Sequence, residues 1–268
     1  MSVRDLRRRR GVVRPSPLFL LLVAVAVLGG VLAWFEEEPG ARLGDFGVFL
    51  LVVGGWLVSM CLHEFAHAYS AYRAGDRSVE ARGYLTLNPV KYAHPVLSIL
   101  LPLVAVVAGG FALPGGAVYL HPHQFRSRRT LAFASAAGPA VNVVLAVVLI
   151  VLADANANPA GAGHVRFWTG LGYLGFLQLT AAVLNLLPIP GLDGYGIIEP
   201  YLDPQTRQFA DKVKPWGLLG VMVLLFYAGP IRDAFFDLVD WLYGLLGGDT
   251  IVWQLGYQFF KFWVKQPL

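Results

Sequence analysis

Charge is what this chain has least of. Only 14% of its 268 residues are Asp, Glu, Lys or Arg, while 56% are hydrophobic and the mean hydropathy is +0.58. Soluble domains carry roughly a quarter charged residues, so the composition is that of a polytopic membrane protein. No polar block is large enough to build a second, soluble core, and residues 1–268 are expected to form a single integral-membrane domain. Cysteine is scarcer still. Cys61 stands alone, which excludes an intramolecular disulfide framework. It precedes His63 by two positions, roughly 200° around a helix from it, and reads as a buried thiol. No internal repeat is visible, and the net charge of +4 does not point to nucleic acid. Where the positive charges fall matters more than their sum.

Six arginines between Arg4 and Arg14 precede an apolar stretch at 17–35. No small-residue cleavage site follows that stretch, as a signal peptide would require. It reads as a first transmembrane helix with a cytoplasmic N-terminus, leaving the acidic segment 36–46 outside. A second helix is expected from about Gly47 to Tyr72, ended by Gly75-Asp76. In residues 84–87, Tyr-Leu-Thr-Leu alternates before Asn88-Pro89, a pattern that predicts a short strand or hairpin at the membrane surface. Further helices are expected over 130–153 and 166–187, and an apolar segment over 216–229. An amphipathic helix at 231–246 lies at an interface in this reading, with one long tilted span from 216 as the alternative. The aromatic tail 253–263 resembles an interfacial anchor. The fold class is thus all-α and polytopic, with about five to six transmembrane helices, a re-entrant segment and a short membrane-surface β element.

The chemistry concentrates in His63-Glu64-Phe65-Ala66-His67. Two histidines four residues apart on a helix lie only about 40° apart around its axis, so both imidazoles reach one metal ion. Glu64 flanks that face. This is the helical zinc motif of metalloproteases, with a carboxylate placed as general base toward water at the metal. Ionisable groups inside a membrane segment are costly and usually functional, and here three fall within one stretch of five residues. Residues 47–62 cover roughly 24 Å of a hydrocarbon core about 30 Å thick, which puts the motif within membrane depth toward the cytoplasmic side.

A catalytic zinc takes three protein ligands and leaves a position for water. Outside the motif the candidates are Asp193, His94, His121, His123 and His164, with Asp154 and the carboxylates of the tail behind them. Asp193 stands out because Pro188, Pro190, Gly191 and Gly194 break the chain around it, and irregular backbone at membrane depth is tolerated where it lines a polar cavity. If Asp193 meets the histidines, the second and fourth helices must end on the same side. That holds when residues 95–113 are re-entrant rather than spanning; Pro102 and Gly109-Gly110 favour this. The same topology assigns sixteen of the 21 Lys and Arg residues to the cytoplasmic side, as positive-inside bias expects.

His63-Glu64-Phe65-Ala66-His67, the Gly83–Pro89 stretch GYLTLNP, the small-residue stretch AAGPAVN ending in Asn142, and NLLPIPGLDG over 185–194 together resemble the site-2 protease family of intramembrane zinc metalloproteases. The likeness covers about residues 45–200, with 201–268 left as C-terminal membrane and interfacial helices. It implies one zinc per chain held by His63, His67 and Asp193, with Glu64 as catalytic base. It also implies that Asn185 holds the substrate backbone or the oxyanion, and that Asn142 is structural. The implied substrate is a transmembrane protein in the lipid bilayer of the cell (plasma) membrane. Where family members of the compact type carry a His and an Asp after the LNP element, this chain has Val90 to Pro95, and a Lys-Pro-Val-Pro-rich segment is replaced at 113–118. With no appended regulatory domain, control falls to the substrate, a regulatory membrane partner or a homo-oligomer. The rival reading is a non-proteolytic scaffold or metal-handling protein that keeps a zinc site. A relict would have lost one of the key residues, and a carrier would show a polar path across the membrane.

Overall fold

Short polar side chains and prolines set the helix starts. The Ser16 hydroxyl accepts the Phe19 amide at 3.1 Å and Pro17 opens α1, Pro17–Phe35, where a proline costs no helical hydrogen bond. The structure is a computed structural model that describes residues 13–36, 38, 42–92, 125–157 and 163–264. Helix α2, Arg42–Ala74, is about 50 Å long at 1.5 Å per residue, more than the apolar core of a bilayer. It ends at Gly75, with φ 121°. The Asp76 carboxylate then accepts the Ser78 amide and hydroxyl, starting α3, Ser78–Ala81. After α4, Pro89–Tyr92, comes α5, Arg128–Asn156, opened by a reciprocal Ser127–Thr130 capping box and holding Pro139 in its interior. Helix α6, Val165–Leu186, is followed by the short α7, Asp193–Ile198, α8, Pro204–Tyr227, α9, Gly229–Leu245, and α10, Thr250–Phe260.

Four of these helices, α1, α2, α5 and α6, are long and apolar enough to cross a membrane, and α8 with α9, bent by 96°, makes at most a fifth. Among the described residues that gives four or five, the upper figure meeting the lower end of the five to six expected. The break at Ala228 rules out one straight span from 216. The expected re-entrant segment 95–113 lies outside the described residues. Burial sorts the spans: 78% of the apolar window of α6 is buried against 22% of that of α1. Helix α6 is therefore the centre, with α1 at the lipid-facing edge. Close helix approach depends on small residues. A Cβ on Gly29 of α1 would lie 2.3 Å from the Leu51 amide nitrogen of α2.

The expected β element is not there: no strand occurs among the described residues. Tyr84–Thr86 forms a single 3-10 turn, with Gly83 at φ 75° and Leu87 at φ 54° bending the backbone at either end. The Thr86 hydroxyl donates to the Gly83 carbonyl at 2.7 Å. Tyr84, Leu85 and Leu87 are all buried, so the apolar residues do not alternate between faces. Tyr84 and Leu85 pack with Ala68 and Ala71 of α2 and with Val79. This burial, together with the left-handed corners, overrode the period of two. The Thr86 carbonyl accepts the Ser16 amide at 2.9 Å, which ties the start of α1 to the chain following α2.

The aromatic tail packs along one face against α6. Val252, Gly256 and Phe260 of α10 are buried in the bundle. A Cβ on Gly256 would come within 2.0 Å of the Thr169 carbonyl oxygen on α6, and Trp253 stacks on Phe176 at 4.0 Å.

At this end of the bundle, Arg166 is the anchor. It is buried, pairs with Asp45 at 2.8 Å, and donates to the Glu36 and Glu38 carbonyl oxygens at 2.8 and 3.0 Å. One guanidinium thus fastens the α1–α2 connection to the start of α6. Removing one partner of a buried pair leaves the other uncompensated, at a cost of about 3–5 kcal/mol. Arg166→Met is expected to lower unfolding stability by about 3 kcal/mol in detergent-solubilised protein, read by denaturant titration; an unchanged midpoint would contradict the anchor role.

Candidate metal centre

His63 and His67 sit one turn apart on α2, both buried, with ring centroids 4.7 Å apart. Their Nε2 atoms are 3.1 Å from each other. Asp193, the first residue of α7, brings its Oδ2 to 3.1 Å from His63 Nε2 and 3.3 Å from His67 Nε2. The three form the one group of candidate metal ligands found among the described residues. The Nδ1 atoms face elsewhere: that of His67 meets the Ala134 carbonyl at 2.7 Å, and that of His63 meets the Asn142 side-chain oxygen. Each acceptor requires a proton on Nδ1, which leaves the Nε2 lone pairs pointing inward.

The fit to a metal follows. With both imidazoles neutral, Asp193 Oδ2 is buried with no donor, and two nitrogen lone pairs face it at hydrogen-bond range. Either an imidazole takes a second proton and the distances become ion pairs, or a cation sits among the three. Two imidazole nitrogens and one carboxylate oxygen form a donor set suited to zinc. Space is kept for it by Gly138 of α5. A Cβ there would lie 2.2 Å from His67 Nε2 and 2.6 Å from His63 Nε2. Gly138, within the small-residue stretch AAGPAVN, is thus a position where only glycine fits beside both imidazoles.

The loop that presents Asp193 is short and braced. The Ile189 amide donates to the Leu187 carbonyl at 2.8 Å and the Leu192 amide to the Ile189 carbonyl at 2.9 Å, while Gly191 takes φ 101°. Leu192 is buried with Leu184 of α6 and with Val221 and Leu225 of α8. Gly217 of α8 lies so close that a Cβ would be 1.7 Å from the Pro190 carbonyl oxygen. The C-terminal region therefore helps to hold the third side chain of the cluster.

Glu64 is buried at the same turn of α2. Asn185 is buried on the last turn of α6, and no side-chain hydrogen bond joins it to the cluster among the described residues. His164 stands apart, at the start of α6. It stacks on Trp34 at 3.5 Å and its Nδ1 meets the Trp34 carbonyl at 2.8 Å. Asp154 accepts the Asp249 amide at 2.7 Å. His94, His121 and His123 lie outside the described residues.

No family profile and no solved structure matches the chain. Curated relatives do, each named a "Putative zinc metalloprotease". Rip2 of Mycolicibacterium smegmatis is 50% identical over 263 residues, covering 98% of both chains. Rip2 of Mycobacterium tuberculosis is 46% identical over 256 residues, covering 95% of this chain and 96% of its own. The chain belongs to the site-2 protease family of zinc metalloproteases. A more distant relative, YwhC of Bacillus subtilis, is 37% identical over 177 residues, 63% of this chain and 76% of its own. In this protease the histidine pair and the Leu-Asp-Gly turn are far apart in sequence and meet in space.

Gly138 tests the centre directly. Gly138→Ala is expected to reduce bound divalent metal in the purified protease by more than the roughly 10–100-fold typical of an outer-shell change, because the added carbon sits against both ligand nitrogens. Metal content by mass spectrometry, beside helical content by circular dichroism, reads this; full metal content in the variant would refute it.

Proposed function

We propose that the protease hydrolyses peptide bonds within or near transmembrane segments of membrane-protein substrates, with one zinc held by His63, His67 and Asp193. The convergence of those three side chains within 4.8 Å, from helices far apart in the chain, carries the reading. Zinc bound there would supply Lewis acidity, making water acidic near neutral pH and polarising the scissile carbonyl. Glu64 accepts the proton of the attacking water and returns it to the leaving amine. Asn185 holds the substrate backbone or its developing oxyanion. The substrate segment has to unwind locally, because a helix keeps its carbonyls in its own hydrogen bonds.

Residues 1–268 act as one catalytic domain, with the N-terminus in the cytoplasm of a cell whose plasma membrane holds the protein. Charge supports this orientation. The start of α1 is tied to Thr86, beyond the end of α2, and the start of α5 meets His67 through Ala134. Arg14, Arg73, Arg77, Arg82, Arg128 and Arg129 therefore gather at the end of the bundle that holds the metal centre, as the cytoplasmic side should. Water then enters from that side.

The test is cleavage of single-span membrane substrates by purified wild type and Glu64→Gln, with zinc quantified in both. The expected outcome is equal zinc and a cleavage rate roughly 10²–10⁴-fold lower in the variant. Equal rates would reject Glu64 as base. Zinc bound without cleavage of any substrate by either form would favour a scaffold.

A further inference from the structure

Behind His63 runs a chain of side chains that the proposed chemistry does not use. The Ser59 hydroxyl donates to the Trp56 carbonyl of its own helix at 2.7 Å. Gln178 Nε2 of α6 donates to the Ser59 oxygen at 2.7 Å, and Asn142 Nδ2 of α5 donates to Gln178 Oε1 at 3.0 Å. The Asn142 oxygen then meets His63 Nδ1. All are buried, Gln178 completely.

The direction of every bond in this chain is set from one end. A hydroxyl has a single hydrogen, and the Trp56 carbonyl, which can only accept, takes it. Ser59 must therefore accept from its other neighbour, so Gln178 has to present its amide nitrogen there and its oxygen to Asn142. Asn142 in turn has to present nitrogen to Gln178 and oxygen to His63. That oxygen needs a donor, so the proton of His63 sits on Nδ1 and the lone pair on Nε2, the atom turned to Asp193. Turning both amides over would require the Ser59 hydroxyl to leave the Trp56 carbonyl and donate to the Gln178 oxygen instead, so the orientation of the whole chain is coupled to that one hydroxyl.

We propose that Ser59, Gln178 and Asn142 form a relay that selects the metal-binding tautomer of His63, with Gln178 the positioning residue in the middle. The proposal rests on the metal reading of the centre. His67 has no need of such a device, because its Nδ1 is held by the backbone carbonyl of Ala134. The two ligands are thus oriented by different means, and only that of His63 runs through side chains open to substitution. Without Gln178, Asn142 is free to turn its nitrogen toward His63, which moves the imidazole proton to Nε2 and blocks the ligand atom.

The experiment compares full-length wild type, Gln178→Leu, Ser59→Ala, Asn142→Asp and Thr180→Val in detergent. Thr180 is the control, buried on the same helix with its hydroxyl bonded to the Phe176 carbonyl. Two readouts are taken: zinc affinity by competition with a chelator, and the tautomer of His63 by nitrogen NMR of histidine-labelled, metal-free protein. Gln178→Leu is expected to weaken zinc binding roughly 10–100-fold and to shift His63 toward the Nε2-protonated form. Ser59→Ala should do the same to a smaller degree. Asn142→Asp, whose carboxylate can only accept when ionised, should keep the Nδ1–H form, and Thr180→Val should match wild type in both readouts. Wild-type zinc affinity and an unshifted tautomer in Gln178→Leu would overturn the relay while leaving the metal centre standing. Absence of zinc binding by wild type would overturn the metal reading itself, and the relay with it. Equal losses in Gln178→Leu and Thr180→Val would mean disturbed packing, and would also overturn the relay.

Discussion

Two imidazole nitrogens and a carboxylate oxygen held within 3.3 Å of one another cannot be left as they are. Their lone pairs repel, and with Asp193 Oδ2 and both imidazoles buried the repulsion is little screened. Much of the bundle answers that demand. The Nδ1 atoms are given acceptors so that the Nε2 atoms turn inward, Gly138 leaves room at the meeting point, and a turn rich in proline and glycine brings Asp193 back toward α2. A cation at the centre would turn the repulsion into attraction, which is why the same geometry suits metal chemistry.

The helices around the centre divide the remaining work. Helix α2 carries the histidine pair. Helix α5 supplies Gly138, Asn142 and the Ala134 carbonyl from one face, beside Pro139, which has no amide hydrogen for the Ser135 carbonyl and so loosens the local backbone. Helix α6 runs through the middle, fixing Arg166 at one end and leading into the Asp193 loop at the other. Helix α8 buttresses that loop at Gly217 and Leu192. The site is therefore not confined to the stretch 45–200 that carries its motifs. Part of its rigidity comes from residues beyond 201, whose sequence holds no chemical signature.

The β element failed for a reason that lies outside its own window. Tyr84 to Leu87 alternates in sequence as a half-buried strand would, yet Tyr84, Leu85 and Leu87 all turn inward because Gly83 and Leu87 adopt left-handed backbone and the turn docks on α2. The aromatic residues near the C-terminus have the composition of an interfacial belt, and one face of α10 packs on α6 and buries Phe260 completely. At 84–87 the local pattern reported what the segment prefers in isolation, and a neighbour outside the window decided otherwise.

Some of this protein was determined by sequence alone. Low charge and long apolar runs require a membrane, because no aqueous surface can be built from them, and histidines four apart on one helix converge for reasons of helical geometry. Asp193 was legible as a candidate because only an unusual purpose puts a carboxylate and broken backbone at the end of a membrane helix. Tertiary structure decided what depends on distance between segments: that Asp193 reaches the histidines, that Gly138 is the space between them, that Arg166 ties the far end together, and that Ser59, Gln178 and Asn142 line up behind His63. Arg166, Ser59 and Gln178 carry no local signature, since a buried polar side chain looks the same in sequence whether it packs, caps or positions. The groups it meets lie on other helices, and only the folded bundle brings them within hydrogen-bonding range.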